Sequence, residues 1–205
     1  MQPGATVWRE VTSGTGEITC TVERRAILDV PSVNAQIRTR YDTLPGLSAV
    51  PVPPQAVASG WPPVWWVGCH GGSGATTLAT LTQIGYDYGP VWPMLPPNSP
   101  MINVVLVCRA SAAGTLAAAG AVEQWRRRAI PVHAQVRGVV AVAASPRRPP
   151  KIVNERLQLL GGWAPNVWRV GWQEVLLAAD KPADLGVPPP DIAALRDSIV
   201  EAVSI

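Results

Sequence analysis

The chain has 205 residues, 47% of them apolar and 15% charged, with a formal net charge of +3. That length accommodates one domain with an extension and a substantial core, and the mild positive balance permits an acidic partner without demanding one. Three cysteines, Cys20, Cys69 and Cys108, are odd in number and lack metal-ligand spacing, which favours free thiols in a cytoplasmic protein over a disulfide framework.

Residues 1–10 contain no apolar targeting segment, and no run approaches the ~20 apolar residues of a membrane span. Residues 1–60 read as an irregular N-terminal arm and proline-rich linker, and 61–205 as the folded domain. Within the arm, 17–23 alternates weakly like a strand and 26–30 is a second short apolar run. Prolines and glycines punctuate 44–63, which reads as loop or linker. Such an arm either lacks structure of its own or orders against a partner or the domain's edge.

The stretch at 64–84, VWWVGCHGGSGATTLATLTQI, organises the rest of the chain. An apolar run at 64–67 suits a buried strand. A loop containing Gly68, Gly71, Gly72 and Gly74 comes next. Thr76 and Thr77 then open a helical pattern carried by Leu78, Leu81 and Ile84. Strand, glycine-rich loop and helix is the layout of a phosphate cradle: glycines let amides converge on an anion, and the helix start adds partial positive charge.

Beyond it, 85–100 is turn-rich, with one short strand expected at 88–92, and Asp87 in a turn-like setting. A near-continuous apolar strand comes at 101–108, of the kind buried on both faces of a parallel sheet. Ser111 is placed to cap an alanine-rich helix over 112–128, with Arg126, Arg127 and Arg128 in its last turn. A strand at 136–144 leads to a helix at 151–160, which shows Ile152, Leu157 and Leu160 as its apolar residues and stops at Gly161-Gly162. A strand at 167–170 and a helix at 172–179 come next. Asp191 is placed to cap a final helix striped by Ile192, Leu195, Ile199 and Val203. This alternation predicts an α/β domain with a mostly parallel sheet and flanking helices.

The strict P-loop pattern G-x-x-x-x-G-K-[ST] is not met: Cys69 stands at the first glycine and Ala75 at the lysine, while Thr76 keeps the hydroxyl that would hold Mg²⁺. The string HGGSGATT, His70 to Thr77, resembles the deviant P-loop KGGxGKTT of MinD/ParA-type ATPases. NVVLVCRAS at 103–111, GVVAVAAS at 138–145 and VWRVGWQE at 167–174 are similar to that family's later strands. The resemblance spans 64–180 and implies a reduced P-loop NTPase-like fold. It implies His70, Gly71, Gly72, Ser73, Gly74, Ala75, Thr76 and Thr77 as the nucleotide-binding set, with Thr76 as metal ligand only where a Mg-nucleotide binds. His70 and Ala75 replace both lysines of the family's loop. No apolar strand ends in a metal-linking Asp, and Ala144-Ser145 stand where the family's adenine-reading Asn would be. Phosphoryl transfer needs cationic stabilisation of the γ-oxygens, so no catalytic residue is assigned.

The resulting expectation is a catalytically inactive scaffold or protein-interaction module with no required cofactor, weak ATP and Mg²⁺ binding aside. By analogy with the family it is linked to plasmid partition, positioning or conjugation. The alternative is a MinD/ParA-type switch that still binds ATP and non-specific DNA. The partner protein is unidentified, and a homodimer is compatible with the resemblance. Arg126, Arg127, Arg128, Arg147 and Arg148 are the candidate DNA contacts, set against a reading as solvated helix ends and loops. His70 reads either as a partial cation in the signature-lysine slot or as a loop histidine with no ligand. Cys69, ahead of a helix start that can depress a thiol pKa, reads either as a structural small residue or as the nucleophile of an unrelated enzyme. Trp65 and Trp66 are expected in the core; Trp8, Trp61 and Trp92, if exposed, would mark a protein contact.

Overall fold

The computed structural model describes residues 44, 46–58 and 60–204; the expected strand at 17–23, the run at 26–30, Trp8 and Cys20 lie outside them. In chain order the elements are β1 (Ala49–Pro51), β2 (Trp65–Gly68), α1 (Ala75–Thr82), β3 (Tyr86–Gly89), β4 (Trp92–Met94) and β5 (Ile102–Arg109). They continue with α2 (Ala112–Arg126), β6 (Ala134–Val142), α3 (Lys151–Gly161), β7 (Val167–Val170) and α4 (Pro190–Val203). Five strands form an all-parallel sheet in the order β3-β2-β5-β6-β7. The fold is α/β, a parallel sheet flanked by helices, as the strand–helix alternation predicts.

The strands read as continuous apolar runs because both faces are covered. Along β5, Ile102, Val104, Leu106 and Cys108 face one core layer with α2 and α3, while Val105 and Val107 face the other with α1 and α4. In β6 the alternation switches phase. Ala134 and Val136 face the first layer, and then Val139 and Ala141 do so. The cause is a register break opposite Val104–Val105 that inserts Arg137 as an extra residue. Gly138 comes directly after it because a Cβ there would lie 2.3 Å from the Trp168 ring.

Several expected elements differ. The region 88–92 holds parts of two strands, β3 and β4, separated by Pro90 and Val91. The helix expected at 172–179 is only a 3-10 turn, Glu174–Leu177. The last helix is capped by Pro189, not Asp191, which sits in its first turn behind Pro190. In α3 the buried face is Val153, Leu157 and Leu160, with Ile152 outward. The proline-rich stretch carries β1, which pairs in parallel with β4. Gln124 of α2 holds it: Oε1 accepts from the Leu47 N–H (2.8 Å) and from Trp92 Nε1 (3.0 Å), and Nε2 donates to Leu47 O (3.0 Å). Leu44, Leu47, Val52, Ala56 and Val57 pack on the same core layer.

Candidate functional site

Chain order fixes where a ligand can sit. From β2 the chain passes to β3 on one side and then to β5 on the other. Open parallel sheets bind ligands beyond the carboxyl ends of their strands at such a switch point. A hollow of about 420 Å³ lies there, walled by the loop 70–74, the start of α1, Asp87, Arg109, and Val142 to Ala143. Its far side is Trp172, Gln173, Leu176, Leu177 and Ile192.

The loop reaches its shape through its glycines. Gly72 and Gly74 have φ of 71° and 99°, the left-handed region that glycine enters without strain. Gly68 allows close approach of the buried Ser73, whose Oγ would lie 2.7 Å from a Cβ. Gly74 is the N-cap of α1 and provides no side-chain cap. Among the described residues the amides of Gly72, Gly74, Thr76 and Thr77 donate to no protein acceptor, and that of Ala75 makes only a long 3.4 Å bond to Ser73 Oγ. These are the open donors of a helix start and its preceding loop, and they attract anions.

Asp87 requires a correction. It lies not in a turn but on β3, hydrogen-bonded beside β2. Tyr86 and Tyr88 pack edge-on against Trp65 at 5.8 and 5.5 Å, so alternation turns Asp87 to the opposite face, toward the start of α1. There its Oδ2 accepts a 2.6 Å hydrogen bond from Thr76 Oγ1, and Oδ1 accepts from the Gly89 N–H at 3.0 Å. A hydroxyl and a carboxylate, both hard oxygen donors, are thus adjacent beside the loop. Arg109, at the end of β5, lines the same hollow and donates through Nη1 to Ala143 O at 3.2 Å. A cation, Arg109, and an acidic group, Asp87, therefore flank the loop.

The remaining loop residues are structural. Ala75, at the lysine position, is buried in the core layer beneath the loop. His70 Nε2 accepts from the Arg109 N–H (3.1 Å), and Nδ1 lies 2.8 Å from Gly71 O. A neutral ring with its proton on Nδ1 satisfies both contacts, the tautomer being assigned from the bonding. His70 therefore ties the loop to β5, as the loop-histidine reading of it allows. Gly114 in α2 leaves it room, since a Cβ there would lie 3.0 Å from Nε2 and still closer to Arg109 O.

Cys69 is buried, and burial, reinforced by the neighbouring Cys108, pushes its thiol well above the ordinary value. Burial pushes Cys108 up to about 12. Desolvation outweighs the helix start, so the nucleophile reading of Cys69 has no thiolate to act with.

The five candidate DNA-contact arginines do not form one patch. Arg126 ends α2, with Arg127 and Arg128 just after it, ahead of β6; Arg147 and Arg148 come after β6, nine residues or about 26 Å further along the sheet. Arg126 and Arg127 both pair with Glu123 at 3.6 and 2.8 Å, and Arg126 also stacks on Trp163. Trp65, Trp66 and Trp92 are buried, leaving Trp61 as the exposed one of the described candidates.

Sequence reasoning noted Asp87 but left it in a turn, and gave no site role to Arg109 or to the far wall at Trp172 and Gln173. The available signal was Tyr-Asp-Tyr, an alternating β-favouring triplet eleven residues after Thr76. No protein-family model matches the chain, and neither a curated protein nor a solved structure matches it. Function therefore rests on the site alone. Among the described residues no helix is long and apolar enough to cross a membrane.

Proposed function

We propose that this chain binds a phosphate-bearing ligand, a Mg²⁺–nucleoside di- or triphosphate in particular, in the hollow at the end of β2. Binding, rather than hydrolysis, is its task, and the bound state presents a surface to a protein partner. One observation carries the reading: Thr76 Oγ1 and Asp87 Oδ2 meet at 2.6 Å beside a glycine loop whose amides are open.

The donor set fits magnesium. Among the described residues no cluster of three or more His, Cys, Asp or Glu could hold a metal by itself. Mg²⁺ seldom needs one, since it takes one or two protein oxygens and completes its shell with phosphate and water. Thr76 and Asp87 would supply those oxygens, and the ion would offset charge on the bound phosphates. The open amides of Gly72, Gly74, Thr76 and Thr77 hold the phosphate oxygens. Among the described residues Arg109 is the one arginine or lysine lining the hollow, and it is already turned toward Ala143 O. With Ala75 in place of a lysine, a charge-assisted contact of about 1.5–3 kcal/mol is missing, which suits retention of ligand better than turnover. Trp172 and Gln173 form the wall available to the base.

A thermal melt with ATP, ADP and GTP, with and without Mg²⁺, tests this. At ligand 100-fold above Kd, linkage supplies about 2.7 kcal/mol, and melting rises by roughly 5–10 °C. Thr76→Ala lowers the Mg²⁺-dependent part of that rise. A native chain whose melting is unmoved by every nucleotide at millimolar concentration overturns the proposal and leaves the ligand-free scaffold.

A further inference from the structure

A second hollow of about 410 Å³ opens at the same edge of the sheet, on the face covered by α2 and α3. Ala143, Val170 and Gly171 line both hollows, so the two are neighbours separated by the ends of β6 and β7. Its walls come from Ala110 to Ala112 after β5, Ala144 and Ser145 after β6, Pro149 and Pro150 before α3, and Leu157 within α3. These are almost all apolar surfaces. Besides Ser111 and Ser145, two arginines break that pattern, Arg147 and Arg169.

Neither arginine is neutralised. Arg147 makes no hydrogen bond or ion pair among the described residues, and the Nη1 of Arg169 donates only to the uncharged Asn154 Oδ1 at 3.2 Å. Among the described residues no acidic side chain lines the hollow. Arg156, close by, is spent on Ala112 O. The start of α3 adds to the same potential: Pro150 caps it without a side-chain acceptor, and no acidic residue lies in its first turn. By contrast, the arginines at the far end of the sheet pair with Glu123. A concave apolar site of this volume with a few convergent polar groups is the usual form of a small-molecule pocket. Guanidinium pairs select carboxylates and phosphates.

We infer that this hollow is a second ligand site, for a small amphiphilic organic anion. The apolar body lies on Ala144, Pro149 and Leu157, and a carboxylate or phosphate head meets Arg147 and Arg169. This site does not depend on the nucleotide reading of the first hollow, because none of Thr76, Asp87 or the glycine loop lines it.

The test is calorimetric titration of the 205-residue chain with four probes: hexanoate, hexyl phosphate, hexylamine and acetate. The same titrations are monitored by amide chemical shifts. Hexanoate and hexyl phosphate bind, with the shifts centred on Ser111, Ala144, Ser145 and Gly171. The relative affinity of the two reports whether the head preferred is a carboxylate or a phosphate. Hexylamine and acetate bind at least tenfold more weakly, since one carries the opposite charge and the other lacks the apolar body. The double variant Arg147→Ala/Arg169→Ala weakens hexanoate at least tenfold while keeping the native melting temperature within a few degrees, both side chains being exposed. Asp87→Asn leaves hexanoate binding unchanged even where nucleotide binding is lost, which separates this site from the first. Hexylamine binding as tightly as hexanoate, shifts centred on Gly71 to Thr77, or no binding of either anion overturns the proposal.

Discussion

Replacing Asp87 with alanine removes two hydrogen bonds, the 2.6 Å bond from Thr76 Oγ1 and the 3.0 Å bond from the Gly89 N–H. Bonds to a charged acceptor contribute about 1.5–3 kcal/mol each. Here the carboxylate sits at the mouth of an open hollow, and water can re-bond the released hydroxyl and amide, so each is discounted. The sum is about 2 kcal/mol, which for a domain of this size lowers the melting temperature by roughly 4–8 °C. Asp87→Asn keeps one oxygen for Thr76 and forfeits the Gly89 bond, at about half that cost. Both variants lose whatever stabilisation Mg²⁺ adds to nucleotide, because both remove the charge. Differential scanning calorimetry of the native chain and both variants, with and without Mg²⁺–ADP, measures both effects. An Asp87→Ala protein melting within about 1 °C of native would refute the bonded geometry. Full retention of the Mg²⁺-dependent increment in both variants would refute the metal role.

Gly85→Ala places a Cβ 2.0 Å from Val64 O at a φ of +87°, and is expected to cost more than about 4 kcal/mol, read as loss of the cooperative thermal transition. Gln124→Ala strands the buried Trp92 indole N–H and releases both Leu47 backbone groups; a loss of about 2–3 kcal/mol in urea denaturation is expected, with faster proteolysis around Leu47. Cys108 has a folded-state pKa raised by burial to about 12 from an ordinary 9.0, so it stabilises the fold fully below pH 9. That contribution falls by about 1.4 kcal/mol per pH unit as pH rises from 9 toward 12, because only the unfolded thiol ionises there. Comparison of native and Cys108→Ala stability between about pH 8 and pH 10.5 should show a shallower decline in the variant; equal slopes would contradict burial of that thiol.

How much was legible from sequence depends on how far each segment's burial is set by the segment itself. β5 announces itself because both of its faces are covered, and eight consecutive residues must serve two core layers. The glycine loop is legible because Gly72 and Gly74 adopt conformations that other residues enter only with strain. Ser111 caps α2 as read, its Oγ accepting from the Gly114 N–H at 3.0 Å. β3 was only partly legible: the strand expected at 88–92 overlaps its end, but an edge strand of four residues, preceded by Gly85 and ending in Gly89, needs no apolar run and reads as turn. With it went Asp87, the residue that changes the chemistry of the site. Docking of the proline-rich stretch on the domain's edge was one of two open readings, because its partner, Gln124, lies 77 residues away. The helix expected at 172–179 had apolar residues at helical spacing, yet Val175 and Leu177 are exposed, and no packing face holds a longer helix there.

The central claim is that open amides and the Thr76–Asp87 pair make a phosphate site at the end of β2. Isothermal titration of ATP into the 205-residue chain, with Mg²⁺ and then with a chelator, measures it most directly. A saturable one-to-one isotherm that tightens at least tenfold with Mg²⁺, and no longer does so in Asp87→Asn, is the predicted result. A native chain showing no saturable heat with ATP, ADP or GTP under either condition would contradict it.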